Sequence, residues 1–165
     1  MLELLPAHDI LYPLIFRHLS PGDLFSVRCV SSVLHSLVTV FISINKHLDL
    51  GYNKRVTVSA YHILTHNAHN LRTLNLAGLK FLTDDLLRPV LHNNPHLRSL
   101  ELSECHHLTS GILLSISTRT YQLESLILRD CHWVTRDAIE YHISKQGRGQ
   151  SDCHQLSLLS SQCVR

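Results

Sequence analysis

The sequence predicts an α/β protein, in which a short helical region is followed by parallel strands that alternate with helices. Three observations lead to this fold class. Apolar residues, threonines and cysteines recur at one constant interval, which is the spacing from Leu74 to Leu100. Each interval holds a stretch that alternates apolar and polar residues, as does a short strand with one buried face. A threonine and a new apolar segment follow this stretch, as expected for a capped helix.

The strands are predicted from the stretches LRTLNL, LRSLEL and LESLIL, which begin at Leu71, Leu97 and Leu123. Pairs of leucines keep the same interval, at Leu48 and Leu50, Leu74 and Leu76, Leu100 and Leu102, and Leu126 and Leu128. One unit cannot bury its apolar side alone, so stacking of neighbouring units must complete the core. The first unit is degenerate, because Asn45 stands where a leucine is expected. We place the units at 45–70, 71–96, 97–122 and 123–148.

The helices are predicted from threonines that keep the same interval, at Thr57, Thr83, Thr109 and Thr135. A threonine hydroxyl at an N-cap accepts hydrogen bonds from backbone N–H groups two or three residues later. Asp84, Asp85 and Asp137 fall in the first turn, where the helix dipole favours negative charge. Pro89 lies well inside the helix after Thr83, so that helix is expected to begin late or to be kinked.

Three of the five cysteines are followed directly by histidine, at Cys105–His106, Cys131–His132 and Cys153–His154. A structural zinc ion needs four ligands that converge on one point, whereas a regular repeat distributes these pairs along the stack. Leu79 occupies the position of Cys105 and Cys131 in the preceding unit, which favours apolar packing of the thiols. We therefore predict buried cysteines beside exposed histidines, without a metal or other cofactor. Metal binding or pH sensing by these pairs is the alternative.

Residues 1–44 do not follow the repeat and are predicted to form short helices. Asp9 is placed to cap a first helix, whose apolar positions are Ile10, Leu11, Leu14, Ile15 and Leu19. In the segment SPGD, Ser20 is the predicted N-cap of a second helix. Pro21 suits the first helical position, because its missing N–H would have no helical partner there. Asp23 favours the same helix end through the dipole.

The apolar face of the second helix continues through Leu24, Val27 and Val30. Cys29 falls within this apolar helix, and a reactive thiolate needs electropositive surroundings, so Cys29 is not a predicted nucleophile. Ser31 or Ser32 starts a third helix, with Leu34, Leu37 and Val38 as its apolar residues. The chain has no G-x-S-x-G, P-loop or H-E-x-x-H motif, and we expect no enzymatic activity.

Motifs in both regions point to one family. Leu5-Pro6, an aliphatic helix that ends at Leu19, the segment SPGDL and the V-x-x-V-S pattern that ends at Ser31 are similar to the F-box. The pattern L-x-x-L-x-L-x-x-C resembles the cysteine-containing leucine-rich repeat. Residues 4–148 thus resemble the F-box/leucine-rich-repeat family, although Leu34 replaces the usual tryptophan and Pro13 interrupts the first helix. The resemblance implies a helical F-box domain at 1–44, a leucine-rich-repeat solenoid at 45–148, and an irregular or partial repeat at 149–165.

The resemblance also implies a function, which is recruitment of a protein substrate to an SCF ubiquitin ligase for ubiquitination and proteasomal degradation. The F-box would bind a Skp-type adaptor, and through it a cullin and a ring-finger subunit. Carried over to this sequence, the adaptor face or the F-box core comprises Leu5, Pro6, Ile10, Ile15, Leu19, Pro21, Leu24, Val27, Val30 and Leu34. The alternative for each aliphatic residue is packing inside the F-box alone.

The repeats would hold the substrate on their concave side, where residues between the buried leucines point outward. These positions are Thr73, Asn75, Ser99, Glu101, Ser125 and Ile127, with Arg129 at the edge. The set is mixed and mostly uncharged, and simple solvation of these side chains is the alternative to substrate contact. A leucine-rich-repeat scaffold outside any ligase is the alternative function.

Composition narrows the choice of partners and compartment. A net charge of +2 is too small to indicate a nucleic-acid surface. The uncharged run from Cys29 to Asn45 is too short and too polar for a membrane span. The start of the chain has no basic region of a secretory signal, so reduced thiols in the cytoplasm or nucleus are expected. Gly149 stands where the interval calls for another leucine, which suggests a truncated or alternative product.

Overall fold

The computed structural model describes residues 6–135, apart from the side chain of His8. This part of the chain divides into two compact units. The first unit comprises the chain up to Asn45 together with Lys54–His69. The second unit comprises Lys46–Asn53 and the chain from Asn70 onward. Among the helices of residues 6–135, none has the length and apolar character needed to cross a membrane.

The first unit is helical. It begins with a π-helical segment, Ala7–Ile15, and a single 3₁₀ turn, Phe16–His18. Three α-helices follow, namely α1 (Pro21–Arg28), α2 (Ser32–Ile44) and α3 (Val58–His66). Helix α1 packs against both α2 and α3.

The first helical segment differs from the prediction. Its N-cap is Pro6, without a side-chain hydrogen bond, so the predicted capping role of Asp9 is wrong. Pro13 lies inside the segment, where the wider π-helical hydrogen bonding includes an N–H of Leu11 that donates to the Pro6 carbonyl at 3.3 Å. Leu11 is fully buried, whereas the side chain of Leu14 is 65% exposed. The segment therefore buries only part of its predicted apolar face.

Three aromatic rings form the centre of the first unit. The ring centroids of Tyr12, Phe16 and Phe41 lie 5.6–5.8 Å apart in tilted and edge-to-face arrangements. Such geometry adds to the hydrophobic stabilisation that ring burial provides. All three side chains are buried, and burial raises the pKa of the Tyr12 hydroxyl. The contact of Phe41 with the other two rings fixes α2 against the N-terminal segment.

Helices α1 and α2 begin at predicted serine caps. The Ser20 hydroxyl oxygen accepts a hydrogen bond from the Asp23 N–H at 3.2 Å, and the Ser20 N–H donates to the Asp23 carboxylate at 3.3 Å. This reciprocal capping box confirms Ser20, Pro21 and Asp23 in their predicted positions. The hydroxyl and the N–H of Ser20 lower the pKa of Asp23. Ser31 caps α2 through the Leu34 N–H at 3.1 Å.

The second unit contains a four-stranded parallel sheet in the order β1-β2-β3-β4. The strands are β1 (His47–Asp49), β2 (Thr73–Asn75), β3 (Ser99–Glu101) and β4 (Ser125–Ile127). Leu48, Leu74, Leu100 and Leu126 stand opposite one another in the register, so neighbouring strands are separated by the interval seen in the sequence. The predicted α/β class and the positions of the strands are confirmed.

Two helices connect the later strands and pack against each other, α4 (Asp84–Asn93) and α5 (Gly111–Arg119). Helix α4 begins directly after Thr83 and includes Pro89, so the late start, one of the two predicted alternatives, is wrong. The side chain of Asn94, which is 1% exposed, joins this helix to the preceding strand segment. Its amide nitrogen donates to the Val90 carbonyl and its oxygen accepts from the Leu71 N–H, both at 2.9 Å.

The threonines that precede the helices have different roles. The Thr57 hydroxyl caps α3 through the Ala60 N–H at 3.2 Å, as predicted. Thr83 is the N-cap of α4 but forms no side-chain capping bond. The Thr109 hydroxyl donates to the Asp84 carboxylate at 2.6 Å, and Ser110 becomes the N-cap of α5. The Thr109 hydroxyl also accepts from the Gly111 N–H at 3.3 Å, so the predicted local bond remains beside the bond to the preceding helix.

Candidate protein-binding surfaces

The structure divides the predicted adaptor-binding residues between core and surface. Leu5 lies outside the described residues. Leu24 and Leu34 are only 6% and 8% exposed, so they belong to the core of the helical unit. Pro6 is exposed, and the side chain of Val30 is 73% exposed. The remaining members are half-buried, namely Ile10, Ile15, Leu19, Pro21 and Val27.

An apolar stripe on α2 adds residues that the sequence reasoning missed. Val33, Val40 and Ile44 are 42–45% exposed, and the half-buried Leu37 lies between them. Their spacing of three and four residues places them on one face of the helix. We call these four residues the α2 stripe. A neighbouring face of the helix supplies the core through Leu34, Val38, Phe41 and Ile42. The sequence already indicated this stripe, because α2 carries apolar residues on two faces, whereas a helix that packs against one layer of structure needs only one apolar face.

The second candidate surface is the face of the sheet that the buried leucines do not occupy. We call it the open face, and it consists of the first and third residues of each strand. The middle leucine is buried in β1, β2 and β3, and side chains alternate between the faces of a strand. The register places Thr73, Ser99 and Ser125 in one row and Asn75, Glu101 and Ile127 in the next. These six predicted substrate positions therefore lie together, with the exposed Arg129 beyond β4.

Several side chains of the open face are held by neighbours. The His47 Nδ1 and Thr73 Oγ1 atoms lie 2.7 Å apart in a hydrogen bond between β1 and β2. The Asn75 side-chain oxygen accepts from the Ala77 N–H at 3.0 Å. A Cβ atom at Gly51 would lie 2.6 Å from that same oxygen, so only glycine leaves room for Asn75. This end of the face is consequently ordered before any partner binds.

Beyond the strands, four equivalent positions have a left-handed backbone. They are Tyr52, Gly78, Glu104 and Asp130, with φ values between 52° and 70°. Left-handed φ is unusual for residues other than glycine. The Tyr52 ring lies beside the Gly78 backbone, where an added Cβ would be 2.7 Å from its Cδ1 atom. Its hydroxyl donates to the Glu104 carboxylate at 2.9 Å, and this bond is the main cause of a raised pKa for Tyr52.

The cysteines of the repeat are interior groups. Cys105 is fully buried and Cys131 is 5% exposed. Their thiols donate to the carbonyls of Leu76 at 3.3 Å and of Leu102 at 3.2 Å, each in the preceding repeat. Burial is the main cause that raises the pKa of the Cys105 thiol to about 12. Both predicted positions are confirmed, since each sulfur is buried and donates to a backbone carbonyl.

The histidines beside these cysteines lie outside. His106, His107 and His132 are exposed, and the rings of His106 and His132 stack at a centroid distance of 5.5 Å. Within residues 6–135, no group of three or more histidine, cysteine, aspartate or glutamate side chains is arranged to hold a metal ion. The thiols and the imidazoles thus occupy opposite sides of each turn, although they are adjacent in sequence.

Cys29 differs from the repeat cysteines, and its predicted place inside an apolar helix is wrong. It is the C-cap residue of α1 and is exposed. We expect iodoacetamide to modify Cys29 in the native protein, while Cys105 reacts more than about a hundredfold more slowly, because its thiolate is scarce and buried. Peptide mass spectrometry after timed labelling measures both rates. Labelling in concentrated urea is the control, in which both thiols should react alike. Equal native rates would contradict the burial of Cys105.

No protein-family model matches the chain, and no curated protein matches it.

Proposed function

We propose that this protein is the substrate-recruiting subunit of an SCF ubiquitin ligase, built as an F-box followed by a leucine-rich-repeat solenoid. The observation that carries the proposal is the apolar surface of the helical unit. Leu14, Val30 and the α2 stripe leave large aliphatic side chains in solvent on a unit with a small core. Single exposed aliphatic residues are ordinary, but a set on one helix face is typical of a protein-binding surface.

The burial pattern supports a partner rather than a loosely packed domain. The core side of the same unit is well filled, by three aromatic rings and by Leu11 and Val38, which are fully buried. The exposed stripe is therefore surplus to the interior. Each half-exposed valine or isoleucine that a partner covers contributes roughly 1 kcal/mol. A Skp-type adaptor is the partner that the F-box resemblance implies.

The sheet supports the second half of the proposal. Short strands repeat at a constant interval in parallel register, and buried leucines and cysteines recur behind them. This is the arrangement expected of cysteine-containing leucine-rich repeats. The open face has mostly polar side chains without a covering layer among the described residues, as a substrate-binding face requires.

The proposed mechanism is proximity. One chain that binds the adaptor through its helical unit and a substrate through its sheet raises the effective concentration of a substrate lysine near the conjugating enzyme. The protein then needs binding surfaces of adequate affinity and no catalytic group of its own. A cytoplasmic or nuclear location follows from this function, because the ligase works there.

The adaptor test uses surface substitutions. Aspartate at Leu24 would test folding rather than binding, because that side chain is buried. We instead expect purified Skp-type adaptor to capture the wild-type protein, and to lose the variant Val33→Asp plus Val40→Asp, because two charges would enter the contact. The matched control is Val58→Asp plus Leu114→Asp, since these aliphatic residues are 42% and 46% exposed and lie on the other helices α3 and α5. Capture is measured by co-purification and titration calorimetry.

Circular dichroism must show the same helical content for both variants. Equal capture of the α2 variant and the control would reject the α2 stripe as the adaptor surface. Failure of the folded wild-type protein to bind the adaptor would reject the ligase function and leave the scaffold alternative.

A further inference from the structure

Charges are segregated between the two ends of the strands. Basic residues directly precede three strands, namely Lys46 before β1, Arg72 before β2 and Arg98 before β3. At the opposite ends of the strands lie Asp49, Glu101, Glu104 and Asp130. We call the four carboxylates the acidic edge. A strand rises about 3.3 Å per residue, so the two kinds of charge are separated by about 10 Å along the strands.

The acidic edge is not neutralised by the protein. Within residues 6–135, its four carboxylates form no ion pair, whereas Arg88 pairs with Asp84 and Asp85, and Arg98 pairs with Glu124. The Asp49 carboxylate accepts a hydrogen bond from the uncharged Gly51 N–H at 2.9 Å. Lys80 and Arg129 are cations of the same row of turns, and these two leave the four carboxylates of the edge with an excess of negative charge.

Three of the carboxylates act on a common point. The raised pKa of Tyr52 has its first cause in the hydrogen bond to Glu104, and the negative charges of Glu101 and Asp130 raise it further. Neighbouring strands lie about 4.8 Å apart, which places Glu104 and Asp130 within about one strand spacing of each other. Like charges so close repel, and a cationic partner would relieve that repulsion.

The surface between the two charged rows suits an extended segment. The side chains of Thr73, Ser99 and Ser125 are short, so the surface between the two charged rows forms a shallow groove. Tyr52, 57% exposed beside the acidic edge, offers a ring face to a lysine or arginine side chain. Asp49 and Glu101 are two strands apart, about 10 Å, which matches the distance between every third residue of an extended chain.

We propose that the open face binds an extended basic segment of a partner protein, with lysine or arginine side chains against the acidic edge. The segment belongs to the substrate. This assignment rests on the function proposed above. The acidic edge attracts the positively charged side chains of the segment. The basic residues at the other ends of the strands repel positive charge, so a segment with lysine or arginine on the side that faces them binds less well.

The test uses a labelled peptide that repeats Lys-Gly-Ser, and a counterpart that repeats Glu-Gly-Ser. Fluorescence anisotropy with the full chain should detect binding of the lysine peptide and no binding of the glutamate peptide. The variant Glu101→Lys plus Asp130→Lys should weaken that binding by about tenfold or more. The isosteric variant Glu101→Gln plus Asp130→Asn should weaken it less, in the same direction. The matched control is Asp9→Lys plus Asp85→Lys, which changes the net charge equally at exposed positions elsewhere.

The outcomes separate this inference from the ligase function. Equal binding of the two peptides, or an equal loss in the control, would overturn the acidic edge as a binding surface. The edge variants should still capture the Skp-type adaptor as the wild type does. Adaptor capture without peptide binding would reject the basic segment and keep the ligase function. Peptide binding that depends on the edge, in a protein that does not capture the adaptor, would support the surface and reject the ligase function.

Discussion

Leu100→Ala will lower the free energy of unfolding by about 3 kcal/mol, because the substitution leaves a cavity at the centre of the sheet. Leu100 has no exposed surface and stands in register between Leu74 and Leu126. The side chain therefore lies between neighbouring repeats on both sides, and neither neighbour can fill the space without moving its strand. Urea denaturation followed by circular dichroism measures the loss.

Leu126→Ala is the matched control at the equivalent position of the next repeat. Leu126 is half-buried, so its truncation removes less contact and should cost about 1 kcal/mol. The difference between two chemically identical substitutions would show that burial, and not the leucine pattern, sets the stabilisation. Equal losses at the two positions would contradict the central place of Leu100 in the sheet.

The sheet was predictable because the spacing of its strands along the chain is constant. Each strand pairs with a strand one repeat away, so the leucines that face the interior must keep that interval in the sequence. The same logic located Cys105 and Cys131, since Leu79 fills the equivalent interior position and is 3% exposed. A repeating structure makes contacts between distant parts of the chain visible as a regular pattern in the sequence.

The helix starts were less predictable because distant residues add hydrogen bonds to the local capping bonds. The rule for threonine caps considers only the next turn of the chain, and it succeeded at Thr57. At Thr109 the Asp84 carboxylate takes both the N–H and the hydroxyl, at 2.9 and 2.6 Å. The same hydroxyl accepts from the Gly111 N–H at 3.3 Å, because a hydroxyl can donate and accept at once. The local pattern predicts the bond to Gly111 but not the partner in the preceding helix.

The N-terminal unit and the charged rows illustrate two further limits. The cluster of Tyr12, Phe16 and Phe41 depends on contacts between segments with no repeat to align them. The open-face positions followed from strand alternation, which also placed Glu101 there. Glu104 and Asp130 lie beyond the strands, and only the turn geometry shows that they act on the same hydroxyl as Glu101.

Gly78→Ala will lower the free energy of unfolding by about 2 kcal/mol, although the equivalent positions carry Tyr52, Glu104 and Asp130. A left-handed φ of 70° disfavours any residue with a Cβ, by roughly 1 kcal/mol. At Gly78 the added methyl also enters the space of the Tyr52 ring, 2.7 Å from its Cδ1 atom. The ring must move, and the hydrogen bond from its hydroxyl to Glu104 is lost with that movement.

A double-mutant cycle separates the two contributions. In a Tyr52→Ala background, Gly78→Ala should cost only the backbone strain, about 1 kcal/mol, and the difference measures the ring contact. Gly22→Ala is the control glycine, because its Cβ would meet only ordinary contacts at 3.8 and 3.9 Å in a helical backbone. That control should be neutral or slightly stabilising. An unchanged cost of Gly78→Ala in the Tyr52→Ala background would show that φ alone requires glycine there, and that the Tyr52 ring does not restrict the turn.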